Sequence, residues 1–180
     1  MATNVAGERG GEHEETDHST DTEVKTAVDP DCTVMLHLRA SAPAAATRRQ
    51  QTVLDRLRSL ASDGVVPDLR VERWSSRVTV PSGGTDREPG PVALYEELEA
   101  AAERADARLE PFFETRKAVS GLLSTGPSAD RVIVFPVVCL TIHRDDDVTG
   151  LFPCWKNGEH HSVEDGLEAL VTNQCDPENL

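Results

Sequence analysis

The sequence predicts an α+β fold, with a mainly antiparallel sheet and about three helices packed on one face. Three observations carry this. Stretches such as CTVMLHLR alternate apolar and polar residues with period two, and stretches such as TVLDRLRSL repeat apolar residues at helical spacing. The two patterns follow one another as β-α-β-α-(β)-β-β-α, which suits helices laid on a sheet rather than a strict βαβ alternation. At 180 residues the chain has the length of one ordinary domain.

Residues 1 to 31 hold nine acidic and two basic residues, no aromatics and only isolated apolar side chains. Such a segment buries too little to offset its ordering entropy, so a disordered acidic tail is expected. The domain is expected over residues 32 to 172, followed by a C-terminal tail at 173 to 180. Val34, Leu36 and Leu38 share one face of a first strand, with Thr33, Met35, His37 and Arg39 on the other. A helix follows over TRRQQTVLDRLRSLASDG, with Val53, Leu54, Leu57, Leu60 and Ala61 as its apolar stripe and Gly64 suited to its C-terminal cap.

DLRVERWSSRVTV (68–80) reads as a second strand bent near Trp74-Ser75-Ser76, and Pro91 opens a second helix through VALYEELEAAAERADARL. The run RVIVFPVVCLTIH is apolar on both faces, as an interior strand is. Pro136 within it has no N–H for a ladder and predicts a bulge or an unpaired side. Asp145-Asp146-Asp147-Val148 makes the turn, GLFPCW returns antiparallel, and SVEDGLEALV closes the domain as a helix. Ser162 and Asp165 there have the spacing of a reciprocal N-terminal capping box.

Charge limits the function classes. The chain has 18 basic against 32 acidic residues, for a net −14, and half of that excess lies outside the first 31 residues. Only three of the basic residues are lysine, Lys25, Lys117 and Lys156. An acidic, Lys-poor, Arg- and Ala-rich surface stays solvated where salt screens charge over a few ångströms, and it reads as that of a halophile. A basic footprint for nucleic acid is missing overall, although in molar salt that absence excludes little. The N-terminus lacks the apolar core of a signal peptide, and no run approaches a membrane span, so a soluble cytoplasmic protein is expected. The four cysteines lack CxxC spacing and are expected as free thiols.

Several side-chain groups invite a sharper reading. With Asp146 and Asp147 as the two loop residues, Cys139 faces Cys154 across the hairpin with His143 on the same side, a geometry compatible with a soft metal or a redox pair. Cysteine also packs as a small hydrophobe, and a packed hairpin outweighs both. His160-His161 reads as part of a solvated loop, and His37 as a candidate base without a nucleophile partner. Phe112, Phe113 and Arg116 read as an aromatic plug or the rim of a pocket. Phosphate-cradling glycine loops and the common hydrolase motifs are absent, so no cofactor and no catalysis are expected.

The blocks LEPFFETR (109–116), FPVVCLTIHRDDDVTGLFPC (135–154) and SVEDGLEAL (162–170) resemble a group of small haloarchaeal proteins of unestablished activity. Some of these are loosely labelled helix-turn-helix domain proteins. The resemblance spans residues 32 to about 172. Arg48, Arg49, Arg56, Arg58, Arg70, Arg73 and Arg77 set seven bases against four acids within residues 48 to 77, yet ASDGVVPDLR does not read as a recognition helix. The leading expectation is therefore a non-enzymatic regulatory or protein-interaction protein whose arginines meet an acidic protein partner. A DNA-binding regulator using the same arginines is the alternative, and a small metal or redox protein a second. A membrane partner is not expected.

Overall fold

A computed structural model describes residues 31–81, 90–117, 129–173 and 179–180 of the chain. The expected acidic tail, but for Asp31, lies outside the described residues. β1 (Cys32–Arg39), α1 (Ala44–Ser62) and β2 (Asp68–Trp74) come first, with β1 and β2 paired in parallel across the helix. After a break at Ser75–Ser76 follow β3 (Arg77–Pro81), α2 (Pro91–Arg104), β4 (Ala107–Arg108) and β5 (Glu114–Lys117). Then come β6 (Ala129–Val134), β7 (Val138–Arg144), β8 (Asp147–Phe152), β9 (Cys154–Lys156), β10 (Glu159–His161) and α3 (Val163–Asn173). The strands form a four-stranded sheet β2-β1-β7-β8 and two three-stranded sheets, β10-β9-β4 and β3-β6-β5. Among the described residues every pairing except β1–β2 is antiparallel, and the α+β class holds.

The helices do not share one face. Val34, Leu36 and Leu38 of β1 and Val138, Leu140 and Ile142 of β7 pack against Val53, Leu54, Leu57 and Leu60 of α1 and Val163 and Leu170 of α3. Cys139 of β7 looks the other way, into a second core with Trp74, Phe113, Phe135 and Tyr95, Leu98 and Ala101 of α2. A strand that is apolar on both faces needs cover on both, so α2 sits opposite α1 and α3.

Two long sequence runs divide where a backbone donor is missing or the chain bends. RVIVFPVVCLTIH becomes β6 and β7, in different sheets, with Phe135–Val137 as the crossing. Pro136 cannot donate to a ladder, so the strand ends there rather than bulging. Side chains donate to all three carbonyls of the crossing. Trp74 Nε1 donates to Pro136 O at 3.1 Å, Gln50 Nε2 to Val137 O at 2.9 Å, and the Arg39 guanidinium to Phe135 O. Gln50 also donates to Arg39 O at 2.9 Å, which explains a buried amide on the apolar stripe of α1. DLRVERWSSRVTV likewise divides into β2 and β3.

The local signals hold at the helix ends. Gly64 takes φ +75° just past α1, a conformation that costs a side chain energy. Ser162 N donates to Asp165 Oδ2 at 2.6 Å and Asp165 N to Ser162 Oγ at 3.2 Å, the reciprocal capping box. The Ser162 hydroxyl, donating to Asp165 Oδ2 at 2.7 Å, and then the Ser162 N–H hold the Asp165 carboxyl below its ordinary range. α1 begins earlier than the sequence predicts, at Ala44, because the three alanines after Pro43 are strong helix formers.

Candidate functional site

Residue-by-residue pairing sets which side chains stand on the α2 side of the large sheet. Thr33, Met35 and His37 of β1 pair with Asp68, Arg70 and Glu72 of β2, while Met35 and Thr33 pair with Thr141 and His143 of β7. α2 crosses this face at its N-terminal turn, Gly90 to Leu94, and leaves a cleft of about 850 Å³ between the turn and the strands. Met35, Trp74, Pro91 and Leu94 supply its apolar wall, and Glu72, Glu97, Asp145 and Asp146 its acidic rim, with Arg70 and Arg73 at the β2 edge. Arg70 is turned to Asp68, Nε to Oδ2 at 2.9 Å.

His37 stands at the base of the cleft, 1% exposed, with its ring stacked on Trp74 at 5.0 Å between centroids. Its Nε2 is 3.3 Å from Thr141 Oγ1, which is in turn 3.0 Å from His143 Nε2. Its Nδ1 lies 3.5 Å from Glu72 Oε2 and makes no hydrogen bond. Burial, with the His143 ring beside it, drives the His37 pKa down to about 4. Glu72 would favour the charged ring, but it is 55% exposed and its field is screened, so desolvation wins. Burial lowers the His143 pKa too, against the opposing pull of Glu97. Both rings are therefore neutral near pH 7. The buried Thr141 hydroxyl joins the two imidazoles.

The arginines do not form one surface. Arg48, Arg49, Arg56 and Arg58 are all exposed on α1, with Arg48 about opposite the buried stripe by helical phase. Arg49 is bound to Glu164 of α3, Nη2 to Oε2 at 2.8 Å, and Arg58 lies 3.9 Å from Asp55. Arg73, paired in register with Leu38 at the sheet edge, borders both the α1 side and the cleft, whereas Arg70 lies on the α2 side. Arg77 belongs to β3, in another sheet.

Phe112, Phe113 and Arg116 do not meet at a rim. Phe113 is fully buried in the second core, edge-on to Trp74 at 5.8 Å. Phe112 stacks on His160 at 4.8 Å, and Arg116 pairs with its neighbour Glu114 on β5.

The hairpin register differs from the one that joined the cysteines. Asp145 and Asp146, at φ 51° and 68°, form the turn; Arg144 pairs with Asp147, and a bulge intervenes before Ile142 pairs with Gly150. The ladder ends at Leu140–Phe152, and Cys154 opens β9 in a different sheet. Cys139 and Cys154 are free, buried thiols of the second core, while His143 lines the cleft. Among the described residues no group of three His, Cys, Asp or Glu is placed to hold a metal. Cys32 is disulfide-bonded, against the expectation of a free thiol. Sequence spacing does not report a pairing that tertiary folding creates.

Two groups escaped the sequence. His160 and His161 form a hairpin strand, not a solvated loop, turned by Asn157 and Gly158 at φ 54° and 81°. The Asn-Gly pair was the available signal. Asn179 is buried on β8, with no local signal at all.

The fold and cleft thus define a small α+β domain with one basic helix laid on its larger sheet and a polar-floored cleft beneath that sheet's opposite face. The chain belongs to a helix-turn-helix domain family, whose model matches residues 26–174. Among the described residues, however, strands separate each helix from the next, and no two helices are joined by a short turn. A search of the curated proteins found no match, and a search of the solved structures found none either. No helix of the described residues is long and apolar enough to cross a membrane.

Proposed function

We propose that this is a non-enzymatic, DNA-binding regulator, and that the outer face of α1 is its contact with the duplex. The observation that carries the reading is the charge of the described helices, taken with the family. α1 has four arginines and one acid, whereas α2 has four glutamates and one arginine and α3 has three acids and no base. A single basic helix in a chain of net −14 is where a polyanion meets least repulsion. At 19 residues it is about 28 Å long, enough to lie along a major groove. Membership of a helix-turn-helix family moves these arginines from an acidic protein partner, which the sequence alone favours, toward nucleic acid. Arg48 and Arg56 are the principal contacts, since Arg49 and Arg58 already have carboxylates beside them.

The test is fluorescence anisotropy of mixed duplex fragments with the full chain at molar KCl. Binding is expected, with loss of most of it in Arg48→Ala/Arg56→Ala and a salt slope shallower by roughly two, about one per phosphate contact removed. A chain that binds no duplex, or a double variant that binds as before, overturns the reading. Polyglutamate competing as well as DNA points back to an acidic protein partner.

A further inference from the structure

We propose that the cleft between β1, β2, β7 and the first turn of α2 binds a small organic cation, a primary ammonium carrying an apolar body. Its seat is the acceptor pair formed by His37 Nδ1 and Glu72 Oε2. These two atoms are 3.5 Å apart at the base of the cleft, and the imidazole nitrogen is buried without a hydrogen bond. Thr141 lies between the two rings. Its hydroxyl has one proton to share between two ring nitrogens, and we assign it to the nearer, His143 Nε2 at 3.0 Å. His37 Nε2 then donates to Thr141 Oγ1 at 3.3 Å, and Nδ1 is left as an acceptor beside a carboxylate. Two adjacent acceptors with no donor between them repel, and a buried unsatisfied one is costly. An ammonium group with three N–H donors satisfies both at once.

The rest of the cleft agrees with that ligand. Glu97 and Asp146 add negative potential to the cleft, and Arg70, which also lines it, is already paired with Asp68. Met35, Trp74 and Leu94 offer the apolar wall for the body. Glu72 is more than half exposed, so the ligand has an open approach over it. None of this depends on whether DNA is bound.

The experiment titrates the full chain at molar KCl with benzylammonium, benzyl alcohol and benzoate, followed by calorimetry and by the ¹⁵N shifts of the histidine rings. Benzylammonium is expected to bind and to move the His37 Nδ1 resonance, with benzyl alcohol and benzoate at least about tenfold weaker. Glu72→Gln keeps the side-chain shape and is expected to weaken benzylammonium by about tenfold. The ring shifts of the unaltered protein decide the matter if that variant folds poorly. Three results each overturn the proposal: no binding of benzylammonium, equal binding of benzoate or benzyl alcohol, or binding that leaves the His37 ring shifts in place.

Discussion

Asn179 holds both backbone polar groups of Leu151. Leu151 N donates to Asn179 Oδ1 at 3.1 Å, and Asn179 Nδ2 donates to Leu151 O at 2.7 Å. One side-chain amide thereby does for β8 what a further strand would do, at a residue that is itself buried, and it sits 3.7 Å from Cys154 Sγ as well. Leu180 packs against the second core beside it. Asn179→Ala leaves a buried donor and a buried acceptor unmatched, which costs about 2 to 4 kcal/mol. Urea unfolding should show that loss, whereas Asn179→Asp at neutral pH, keeping the acceptor but burying a charge, should lose at least as much.

Gly166 has no room for a methyl group. A Cβ built on it falls 2.7 Å from Phe152 Cδ2 and 2.9 Å from Leu140 Cδ2, and both of those side chains are locked in the first core. In an open helix Gly→Ala gains up to about 1 kcal/mol of propensity. Overpacking a filled core costs about 1 to 3 kcal/mol, so the clash wins and Gly166→Ala should lower the thermal midpoint. A variant that melts higher than the parent contradicts the packing of α3 on β8.

Residues whose partners are local were legible in the sequence. The apolar stripe of α1, Gly64 and the Ser162–Asp165 box all stand as their spacing implies, because each is decided within a few residues. Chain breaks at Ser75–Ser76 and Pro136 were visible as irregularities, but that they send the chain into another sheet depends on contacts far away in sequence. The hairpin register failed by one position in the turn. Aspartate tolerates positive φ, so three consecutive aspartates allow more than one two-residue loop, and the turn at Asp145–Asp146, which the bulge at Thr149 only partly offsets, takes Cys154 out of line with Cys139. The cleft was the least legible feature. His37, Thr141 and Glu72 belong to three strands, and only β1's pairing on both sides brings them together.

The two free thiols should be inert in the folded protein. Cys139 is fully buried and its pKa is pushed far up by desolvation, while that of Cys154 is pushed up to about 11 by the same cause. Thiolate is the reacting species, so iodoacetamide at pH 8 should label neither until denaturant is added. Mass spectrometry of native and unfolded samples reads this directly. Labelling of Cys139 in the native state would mean that the second core opens.

His37 makes the fold acid-sensitive. Its pKa is about 4 in the folded chain against an ordinary 6.5, so between those values the unfolded chain binds a proton that the folded chain refuses. Stability therefore rises with pH through this window. It is fully present above about 6.5 and falls as pH drops toward 4, below which both states are protonated and the loss levels off. The shift corresponds to a loss on the order of 3 kcal/mol, with His143 adding in the same direction. The groups facing His37 do not reverse this, since Glu72 is exposed and screened and Thr141 is uncharged. Urea midpoints taken from pH 7.5 to 4 should fall steadily in the parent. In His37→Gln, which keeps a polar side chain toward Thr141 without a titrating ring, most of that slope should vanish. An equal slope in the two proteins would place the acid sensitivity in the carboxylates instead.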